Sequence, residues 1–524
     1  IANAPTKQER EIKPLREIKL IDPACGSGNF LLFAFDFFYE LYIDQIENYG
    51  ADYEENEIPK LIIENNLHGV DLDDRAVQIA QLGLYIKARK KNRRVKELKF
   101  KVVSSDFYLP EYDEVRSIFE TGANLDQSQK ELLADIWSDL KFSYKFGSLI
   151  QLDARFKARL QKLVAKREQT NGRLFSDEEI CSPPKSPEPI QRELYVEQAI
   201  IEEKEFISEF FKKLKSTVEQ YARSQGSSFL TDKTRDAIVF LELLTNSYDV
   251  ATANPPYTDS SDFGPDLKKF IEDNYKKPFG FHTNLYATFI KRCCDYVSEV
   301  GKVAMVHPPT FMYIKTFEDV RKFIIEKTHI SFFVEWGYLG MFNPSARVDS
   351  ALYILEKGNN KKKDSCFIKL NHLYETKRYS ALFEAYQCFL NNEKHDLFYQ
   401  IPQEKLKIIK SWPFIYWISD DFRQKFAADS VKDILKNCQG LATADNNRFL
   451  RFWWELGANI MNVKPSDWPF YAKGGPFKKW SGNLWLRVNW RNNGQEIRDF
   501  TDEKGKQRSR PQNENVYFME GITY

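Results

Sequence analysis

The segment KLIDPACGSGNFLLFAF, residues 19–35, decides the fold. An apolar run ends at Asp22, and Gly26 and Gly28 then lead into a long apolar sequence that is typical of a helix. A glycine-rich turn between a strand and a helix lets the backbone approach a ligand at the carboxyl edge of a parallel sheet. The segment therefore predicts an α/β fold with a binding site at that edge.

The sequence beyond this segment repeats the alternation of strand and helix. Residues 66–72 and 99–107 are predicted strands with a helix between them, and the pattern resumes at Tyr248 and continues to residue 357. Such alternation indicates a parallel sheet with right-handed crossovers. The fold class is thus α/β, interrupted by a charged, helical insertion at 121–235.

The composition indicates a cytoplasmic protein. Of the 524 residues, 42% are hydrophobic and 29% are charged. No apolar run reaches the roughly 18 residues that a membrane-spanning helix needs, so we expect no membrane segment. The seven cysteines form no CxxC pair and the six histidines are scattered, so we expect neither a disulfide framework nor a metal site.

Positive charge is concentrated in two places, although the net charge is only +1. Residues 86–101 hold nine Lys/Arg against one Glu, and residues 471–510 hold ten against four acids. Local patches of this kind favour a polyanionic partner. A solvated surface without a partner is an equally good interpretation of either patch by itself.

The glycine turn differs from the turn that binds nicotinamide dinucleotides. It lacks the third glycine of that fingerprint, and Asp22 stands immediately before it. A carboxylate there would repel a pyrophosphate but would suit a cation or an amino group. S-adenosylmethionine carries both a sulfonium and an α-ammonium, so we interpret the turn as its binding site rather than as a simple tight turn.

Acidic residues also end the next two strands. Asp71 follows the second strand, where a carboxylate can accept hydrogen bonds from ribose hydroxyls. Asp73 is the competing candidate, although it also fits the N-cap of the following helix. Asp106 and Phe107 end the third strand, where they can bind the amino group and pack on the ring of an adenine. One such acid is often only a strand-end cap, but three in succession indicate a nucleoside site.

The second motif is Asn254-Pro255-Pro256-Tyr257, which stops an apolar run abruptly. Consecutive prolines end a strand because neither can donate a backbone hydrogen bond. The motif resembles the catalytic signature of the amino-methylating DNA methyltransferases, (Asp/Asn/Ser)-Pro-Pro-(Tyr/Phe/Trp). The resemblance implies that the carbonyl oxygens of Asn254 and Pro255 accept the two N–H bonds of the adenine amino group, while Tyr257 stacks on the base. It also implies a flipped target base and direct methyl transfer without a metal.

The order of the motifs indicates which group of these methyltransferases the chain resembles. The cofactor motif precedes the catalytic motif, as in the gamma arrangement of adenine-N6 methyltransferases. The segments TNLYATFIKRC, GKVAMVHPPTFM, SARVDSALYILEK and GLATADNNRFLRFWWE resemble the PglX methyltransferases of BREX phage-defence systems. The family implies methylation of one strand of a short asymmetric site. Double-stranded DNA is the expected partner, with other proteins of the defence system, or a phage-encoded acidic DNA mimic as antagonist.

Two sets of site residues follow from the resemblance. The catalytic set is Asn254, Pro255, Pro256 and Tyr257. Phe30 is expected near the methionine end of the cofactor. The full cofactor set is Asp22, Pro23, Ala24, Cys25, Gly26, Gly28, Phe30, Asp71, Leu72, Asp106 and Phe107.

The predicted organisation has five parts: the cofactor half of a Rossmann-like methyltransferase core, the helical insertion, the catalytic half, a connector, and the start of a mixed target-recognition region. Their bounds are 1–120, 121–235, 236–360, 361–435 and 436–524. The polar segment GNNKKKDS, residues 358–365, is interpreted as the linker. The family has a large region before the glycine turn and a longer recognition region, so we expect this chain to be part of a longer protein.

Cations and aromatic side chains in the last part predict contacts with DNA. The candidates are Arg448, Arg451, Trp453, Lys478, Lys479, Arg487 and Arg491. The alternative is that Trp453 and Trp454 belong to a core and that the cations are ordinary surface residues.

Three other functions compete with a defence methyltransferase. A fused restriction–modification enzyme needs a nuclease site, which usually combines a Pro-Asp with a later Glu-x-Lys on a strand. Glu202-Glu203-Lys204 matches Glu-x-Lys, but it lies in a helical pattern and has no Pro-Asp partner. A DNA-binding assembly module with a degenerate methylase fold is opposed by the intact Asp22, Asn254 and Tyr257. Methylation of a protein glutamine uses a similar motif, but the basic, aromatic C-terminal part favours DNA.

Overall fold

A computed structural model gives the structure of the chain. It describes residues 13–106, 142–152, 228–338, 347–358, 363–429, 438–456, 466–475 and 482–519, together with 116, 130, 134, 137, 205, 209, 212, 213, 216, 341 and 431–436. The chain divides into two compact units, Ile1–Ala427 and Ala428–Tyr524, which are described separately.

The first unit is built on one mixed sheet, to which nine described strands contribute. They are β1 (Leu20–Asp22), β2 (Leu67–Asp71), β3 (Lys101–Ser104), β4 (Tyr248–Ala253), β5 (Val297–His307), β6 (Thr328–Tyr338), β7 (Asp349–Lys357), β8 (Asp364–Lys369) and β9 (Phe398–Pro402). Their order across the sheet is β3-β2-β1-β4-β5-β7-β6-β8-β9. The first five in this order are parallel neighbours, β7 lies antiparallel between β5 and β6, and β9 is antiparallel to β8.

The strand order reverses beside β1. From β1 the chain moves outward to β2 and β3, and it returns to the other side of β1 with β4. In open α/β sheets such a reversal leaves a crevice outside the carboxyl ends of the two central strands, where ligands bind. The glycine turn follows β1 and the Asn-Pro-Pro-Tyr segment follows β4, so both motifs lie at this crevice. The predicted α/β fold is confirmed.

Helices cover both faces of the sheet. The described helices of ten or more residues in this unit are α1 (Asn29–Tyr49), α2 (Asp74–Lys91), α3 (Ser228–Thr245), α4 (Pro265–Tyr275), α5 (Leu285–Tyr296), α6 (Glu318–Lys327) and α7 (Glu375–Leu390). The adjacent residues Val102 and Val103 of β3 belong to different cores, because successive side chains of a strand point to opposite faces. Val102 packs with α1 and α2, and Val103 packs in the larger core that contains α3, α5 and α6.

The segment Gly147–Ile150 lies within the predicted insertion but packs against the core. We call these four residues the strap. The guanidinium of Arg292, fully buried on α5, donates to the carbonyls of Ser148 and Ile150, each at 2.8 Å. The strap in turn reaches the glycine turn, because the Ser148 hydroxyl donates to the Pro23 carbonyl at 2.5 Å. It therefore couples α5 of the catalytic half to the turn of the cofactor half.

The sheet extends past the boundary predicted at residue 360. β8 and β9 add two strands at its edge, and α7 between them packs on β6 and β8. Much of the segment predicted as a connector, 361–435, therefore belongs to the first unit. Most of the predicted insertion lies outside the described residues, although α3 crosses its end at residue 235.

The second unit contains a small antiparallel sheet. Its described strands are β10 (Leu450–Phe452), β11 (Phe470–Tyr471) and β12 (Leu486–Val488), in the order β10-β12-β11. Phe449, Trp490 and Ile497 form its core with residues of these strands. In the described parts of both units, no helix is long and apolar enough to cross a membrane.

Substitution of Arg292 by Met should destabilise the first unit. The change removes the Arg292 donor from the buried Ile150 carbonyl and leaves the Ser148 carbonyl with the Tyr296 hydroxyl as its side-chain donor, which should lower the free energy of unfolding by roughly 2–4 kcal/mol. Lys291→Met, on the same helix, removes only a partly exposed pair with Asp295 and should cost less than about 0.5 kcal/mol. Denaturant unfolding of both variants measures the difference, and equal stabilities would contradict the role given to the strap.

Candidate active site

The turn after β1 has the left-handed backbone that its glycines allow. Gly26 has φ +51° and Gly28 has φ +84°. The turn is closed by hydrogen bonds from the Cys25 amide to the Val70 carbonyl at 3.0 Å and from the Gly28 amide to the Cys25 carbonyl at 2.8 Å. A Cβ on Gly28 would lie 2.7 Å from the Cβ of Ala80, whereas a Cβ on Gly26 would meet nothing within 4 Å. Gly28 thus permits α1 to pack on α2, and Gly26 faces open space.

Asp22 lies behind the turn rather than on its surface. Its side chain is buried, and its Oδ1 accepts a hydrogen bond from the Ala24 amide at 3.1 Å. Desolvation by burial is the main cause that raises the pKa of the Asp22 carboxyl to about 7; the Ala24 amide opposes this shift, and the nearby charge of Asp71 contributes to it. Asp22 is therefore a carboxyl group whose charge changes near neutral pH.

Asp71, at the end of β2, joins the turn to the second strand. Its Oδ2 accepts from the Gly26 amide at 2.8 Å, and its Oδ1 accepts from the Asp73 amide at 3.0 Å. Asp73 instead caps α2, where its side chain accepts from the Arg75 amide at 2.9 Å. The side chain of Asp73 is thus used to cap the helix, and Asp71 is the acid that faces the crevice.

The other predicted cofactor residues lie in three settings. Asp106 is exposed after β3 and its amide donates to the Ser104 hydroxyl, while Phe107 lies outside the described residues. Leu72 is exposed beside Asp71. Phe30 lines a different cavity of about 690 Å³, an apolar one on the α1 side of the sheet, so the structure does not bring it together with the glycine turn.

The Asn-Pro-Pro-Tyr segment leaves the sheet directly from β4, whose last residue Ala253 pairs with Met305 of β5. Pro255 is buried, and Asn254 is exposed. The hydroxyl of Tyr257 donates to Oδ1 of Asn254 at 2.6 Å, which orients the carbonyl end of that amide. Burial raises the pKa of Tyr257 to about 12, so the phenol stays protonated and remains a donor.

Residues around the start of α5 form hydrogen bonds with the segment that follows this loop. The Leu285 amide donates to the Thr258 carbonyl at 2.9 Å, and the Ser260 amide donates to the Thr283 carbonyl at 3.2 Å. Asn284 is buried and caps α5 by accepting from the Tyr286 amide at 3.1 Å. No role was predicted for these residues, although TNLYATF belongs to one of the segments that resemble the family.

One cavity joins the two motifs. It has a volume of about 450 Å³ and is lined by Ala24, Gly26, Asp71, Asn254, Pro255, Pro256, Tyr257 and Val348. Val348, just before β7, is the lining residue for which the sequence analysis proposed no role. Backbone, a carboxylate, an amide and an aromatic ring thus face a common space at the point where the strand order reverses.

The cations of the second unit are partly used within it. Arg448 forms an ion pair with Glu496 at 3.1 Å, and the Arg487 guanidinium lies 3.6 Å from the centre of the Phe470 ring. Arg451 donates to the Asn447 carbonyl at 2.6 Å. Arg491 lies 6.0 Å from the ring of Trp468, and Lys478 and Lys479 lie outside the described residues.

The two adjacent tryptophans are surface residues. Trp453 is 51% exposed and Trp454 is 54% exposed, so the alternative that they belong to a core is wrong. The Trp454 ring stacks on Phe452 with a centroid distance of 4.6 Å. The second unit therefore presents flat apolar surface to solvent beside arginines.

Comparison with known proteins identifies the family. Residues 65–342 match the Eco57I restriction-modification methylase family, a range that contains Asp71, the strap and the Asn-Pro-Pro-Tyr loop. The chain belongs to this family. Residues 2–124, which contain the glycine turn, match the DNA-methyltransferase domain of MmeI.

Two curated relatives match nearly the whole chain, and both confirm the resemblance to PglX. The adenine-specific methyltransferase PglX of Lacticaseibacillus casei (strain Zhang) is 25% identical over 544 residues, covering 99% of this chain and 39% of the relative. The adenine-specific methyltransferase BrxX of Escherichia coli O9:H4 (strain HS) is 25% identical over 536 residues, covering 97% and 38%. The chain thus spans about two fifths of the length of these relatives. A solved structure of the type IIL restriction-modification enzyme MmeI with DNA covers 94% of this chain and 50% of that chain, at 12% identity and a TM-score of 0.38.

The two glycines of the turn should respond differently to alanine. Gly28→Ala adds a clash with Ala80 to the strain of a positive φ and should lower the free energy of unfolding by roughly 2–4 kcal/mol. Gly26→Ala adds only the backbone strain and should cost about 1 kcal/mol. Urea unfolding of the two variants measures both effects; a larger loss for Gly26→Ala would contradict the described packing.

Asp22 should make stability fall as pH rises. Because the folded pKa of about 7 exceeds the ordinary 3.8, the folded state holds a proton between these values that the unfolded chain has lost. Raising the pH from 5 to 8 should cost the wild type roughly 2–3 kcal/mol relative to Asp22→Asn, because the folded state loses this proton mainly between pH 5 and pH 7. Urea unfolding of both proteins at pH 5 and pH 8, without added cofactor, measures this difference. Identical pH dependence of the two proteins would show that Asp22 does not titrate in this window.

Proposed function

We propose that this chain transfers a methyl group from S-adenosylmethionine to the N6 amino group of an adenine in double-stranded DNA. The proposal rests on one observation: the glycine turn with Asp71 and the Asn-Pro-Pro-Tyr loop line the same cavity. A cofactor held on the first side and a base held on the second would be neighbours there. The adenine-specific activity named for the PglX and BrxX relatives supports the choice of base.

The residues on the β1 side fit the proposed cofactor. Gly26 leaves space where a side chain would stand, so a ligand can approach its backbone. Each oxygen of Asp71 accepts one backbone amide, and a carboxylate oxygen retains further acceptor capacity for ribose hydroxyls. Asp106 would accept from the amino group of the cofactor's adenine, and Asp22 would provide negative charge behind the turn. When bound, S-adenosylmethionine supplies an electrophilic methyl group on its sulfonium.

The residues on the β4 side fit the target base. The amino nitrogen of adenine is a poor nucleophile because its lone pair is delocalised into the ring. The carbonyl oxygens of Asn254 and Pro255 would accept its two N–H bonds and so favour a lone pair directed at the methyl group. Because Tyr257 and the prolines already fix these carbonyls, little reorganisation is needed during the reaction.

The amino group is unreachable inside a duplex, so the target adenine must be flipped out of the stack. Trp453, Trp454 and the neighbouring arginines of the second unit are proposed to contact DNA, the arginines through phosphates and the tryptophans through apolar surface. The match of nearly the whole chain to part of PglX and BrxX favours a role in a BREX-type phage-defence system, acting on DNA in the cytoplasm with other proteins of that system.

Replacement of Asn254 should abolish methylation but spare cofactor binding. With tritiated S-adenosylmethionine and unmethylated bacterial DNA, the wild type should label N6-methyladenine. Asn254→Ala should be slower by a factor of roughly 100 or more, since it removes one preorganised acceptor from the reacting amino group. Asn48→Ala, at the exposed end of α1, is the matched control and should keep wild-type activity.

Calorimetry with the unlabelled cofactor separates the two halves of the site. Asn254→Ala should bind S-adenosylmethionine as the wild type does. Equal rates of labelling by the wild type and this variant would refute the catalytic assignment, and failure of the wild type to bind the cofactor would refute the whole proposal.

A further inference from the structure

The solvent face of α2 carries an apolar stripe that the core does not use. We define the stripe as Ile79, Leu82 and Ile86, whose spacing places them on one face of the helix. Their side chains are 57%, 57% and 46% exposed. The buried face of α2 is a different set, Val77, Ala80, Leu84 and Ala88. The helix is therefore apolar on two opposite faces, although packing on the sheet requires only one.

The stripe runs into a group of cations at the end of the same helix. Arg89 and Lys90 follow Ile86 by three and four residues and so continue its face. We define the cationic end as the exposed residues Arg89, Lys90, Lys91, Arg93, Arg94 and Lys96. None of them has an ion-pair partner among the described residues, whereas Lys87, one turn earlier, pairs with Asp36.

Helix capping does not account for so much charge. One or two cations in the last turn suffice to offset the partial negative charge of a helix carboxyl end, and that effect fades within a turn. Here Arg93, Arg94 and Lys96 lie beyond the last helical residue, Lys91, and Glu97 is the acid among them. The cationic end therefore holds positive charge in excess of what α2 needs.

The cationic end encloses a recess. A polar cavity of about 480 Å³ is lined by Glu55, Asn56, Lys91, Asn92, Arg93 and Arg94. The Lys91 ammonium lies 4.0 Å from the centre of the Tyr39 ring, and the Asn92 amide donates to the Asn56 carbonyl at 2.7 Å. In the lining, the three cations Lys91, Arg93 and Arg94 outnumber the one carboxylate, Glu55, so the recess beside the end of the stripe favours anionic groups.

This surface is remote from the candidate active site. α2 starts just after Asp71, at the crevice, and runs away from it for 18 residues. A helix of that length spans about 27 Å at 1.5 Å per residue. The cationic end therefore lies near the opposite edge of the sheet, away from DNA held at the Asn-Pro-Pro-Tyr loop.

We propose that this face of α2 docks an amphipathic helix of a partner protein that carries acidic residues beside its apolar side chains. The apolar side of such a helix would cover the stripe, and its carboxylates would pair with the cationic end. A nucleic-acid backbone would satisfy the cations but would leave Ile79, Leu82 and Ile86 in water. Because Arg89 and Lys90 share the helical face of the stripe and the other cations lie just beyond it, this surface favours an acidic protein segment over nucleic acid.

A designed peptide tests the proposal on the 524-residue chain. The probe is a fluorescein-labelled 20-residue helix with leucines on one face and glutamates on its flanks, measured by anisotropy. Two peptides serve as comparison: one with lysine in place of each glutamate, and one of identical composition in scrambled order. The acidic amphipathic peptide should bind at least tenfold more tightly than either, and its affinity should weaken as salt is raised.

Three double variants locate the binding. Binding of the acidic peptide should weaken at least tenfold in each of two double variants. One combines Arg93→Glu with Arg94→Glu, and the other combines Ile79→Asn with Leu82→Asn. Lys268→Glu with Lys269→Glu makes the same change of charge on the exposed face of α4 and should leave binding unchanged. Thermal unfolding of each variant verifies that the fold is kept.

Three outcomes would overturn the proposal. The first is equal affinity for the amphipathic and the scrambled peptide. That result would mean that the peptides bind through charge attraction and that the stripe does not contribute. The second is wild-type affinity in the Ile79/Leu82 variant. The third is that a 20-base-pair DNA duplex competes with the peptide, and that the Arg93/Arg94 variant loses affinity for this duplex whereas the other two variants keep it. That result would make this surface a contact for nucleic acid.

Discussion

The parallel pairing of β1 with β4 is the constraint on which the site depends. Ile21 pairs with Ala251, so the two strands reach the carboxyl edge of the sheet side by side. Each strand then ends in a segment that cannot continue it, a glycine turn in one case and two prolines in the other. Sequences more than 200 residues apart in the chain thereby face a single cavity. Without this pairing, neither motif would have the other as a neighbour.

Features with a local cause could be predicted from the sequence. The strand, glycine turn and helix at residues 19–35 follow from residue types that permit few other backbones. The Asn-Pro-Pro-Tyr loop follows from the two prolines. The capping role of Asp73 was similarly available from its position before a helix. Family resemblance then connected these segments, and the matched ranges are consistent with that connection.

Features that depend on distant contacts could not be predicted. The strap has no distinctive sequence, and its position is set by Arg292, more than 140 residues later. Asn284 reads as an ordinary helix cap, and its importance comes from the loop that it meets. β8 follows a polar segment that reads as a linker, yet its Phe367 completes the core beside Phe333 of β6. Phe30 was assigned to the cofactor through the family resemblance, and it lines the apolar cavity that α7 also lines.

The strap and α3 hold the two ends of the segment between Leu152 and α3. Before this segment the chain is tied to α5, and after it α3 is tied to β3 by an ion pair between Lys101 and Glu242 at 3.0 Å. Both points of attachment are thus held by contacts that do not involve the intervening residues. The Ser148 contact with Pro23 then links the glycine turn to α5, independently of the ion pair that fixes α3.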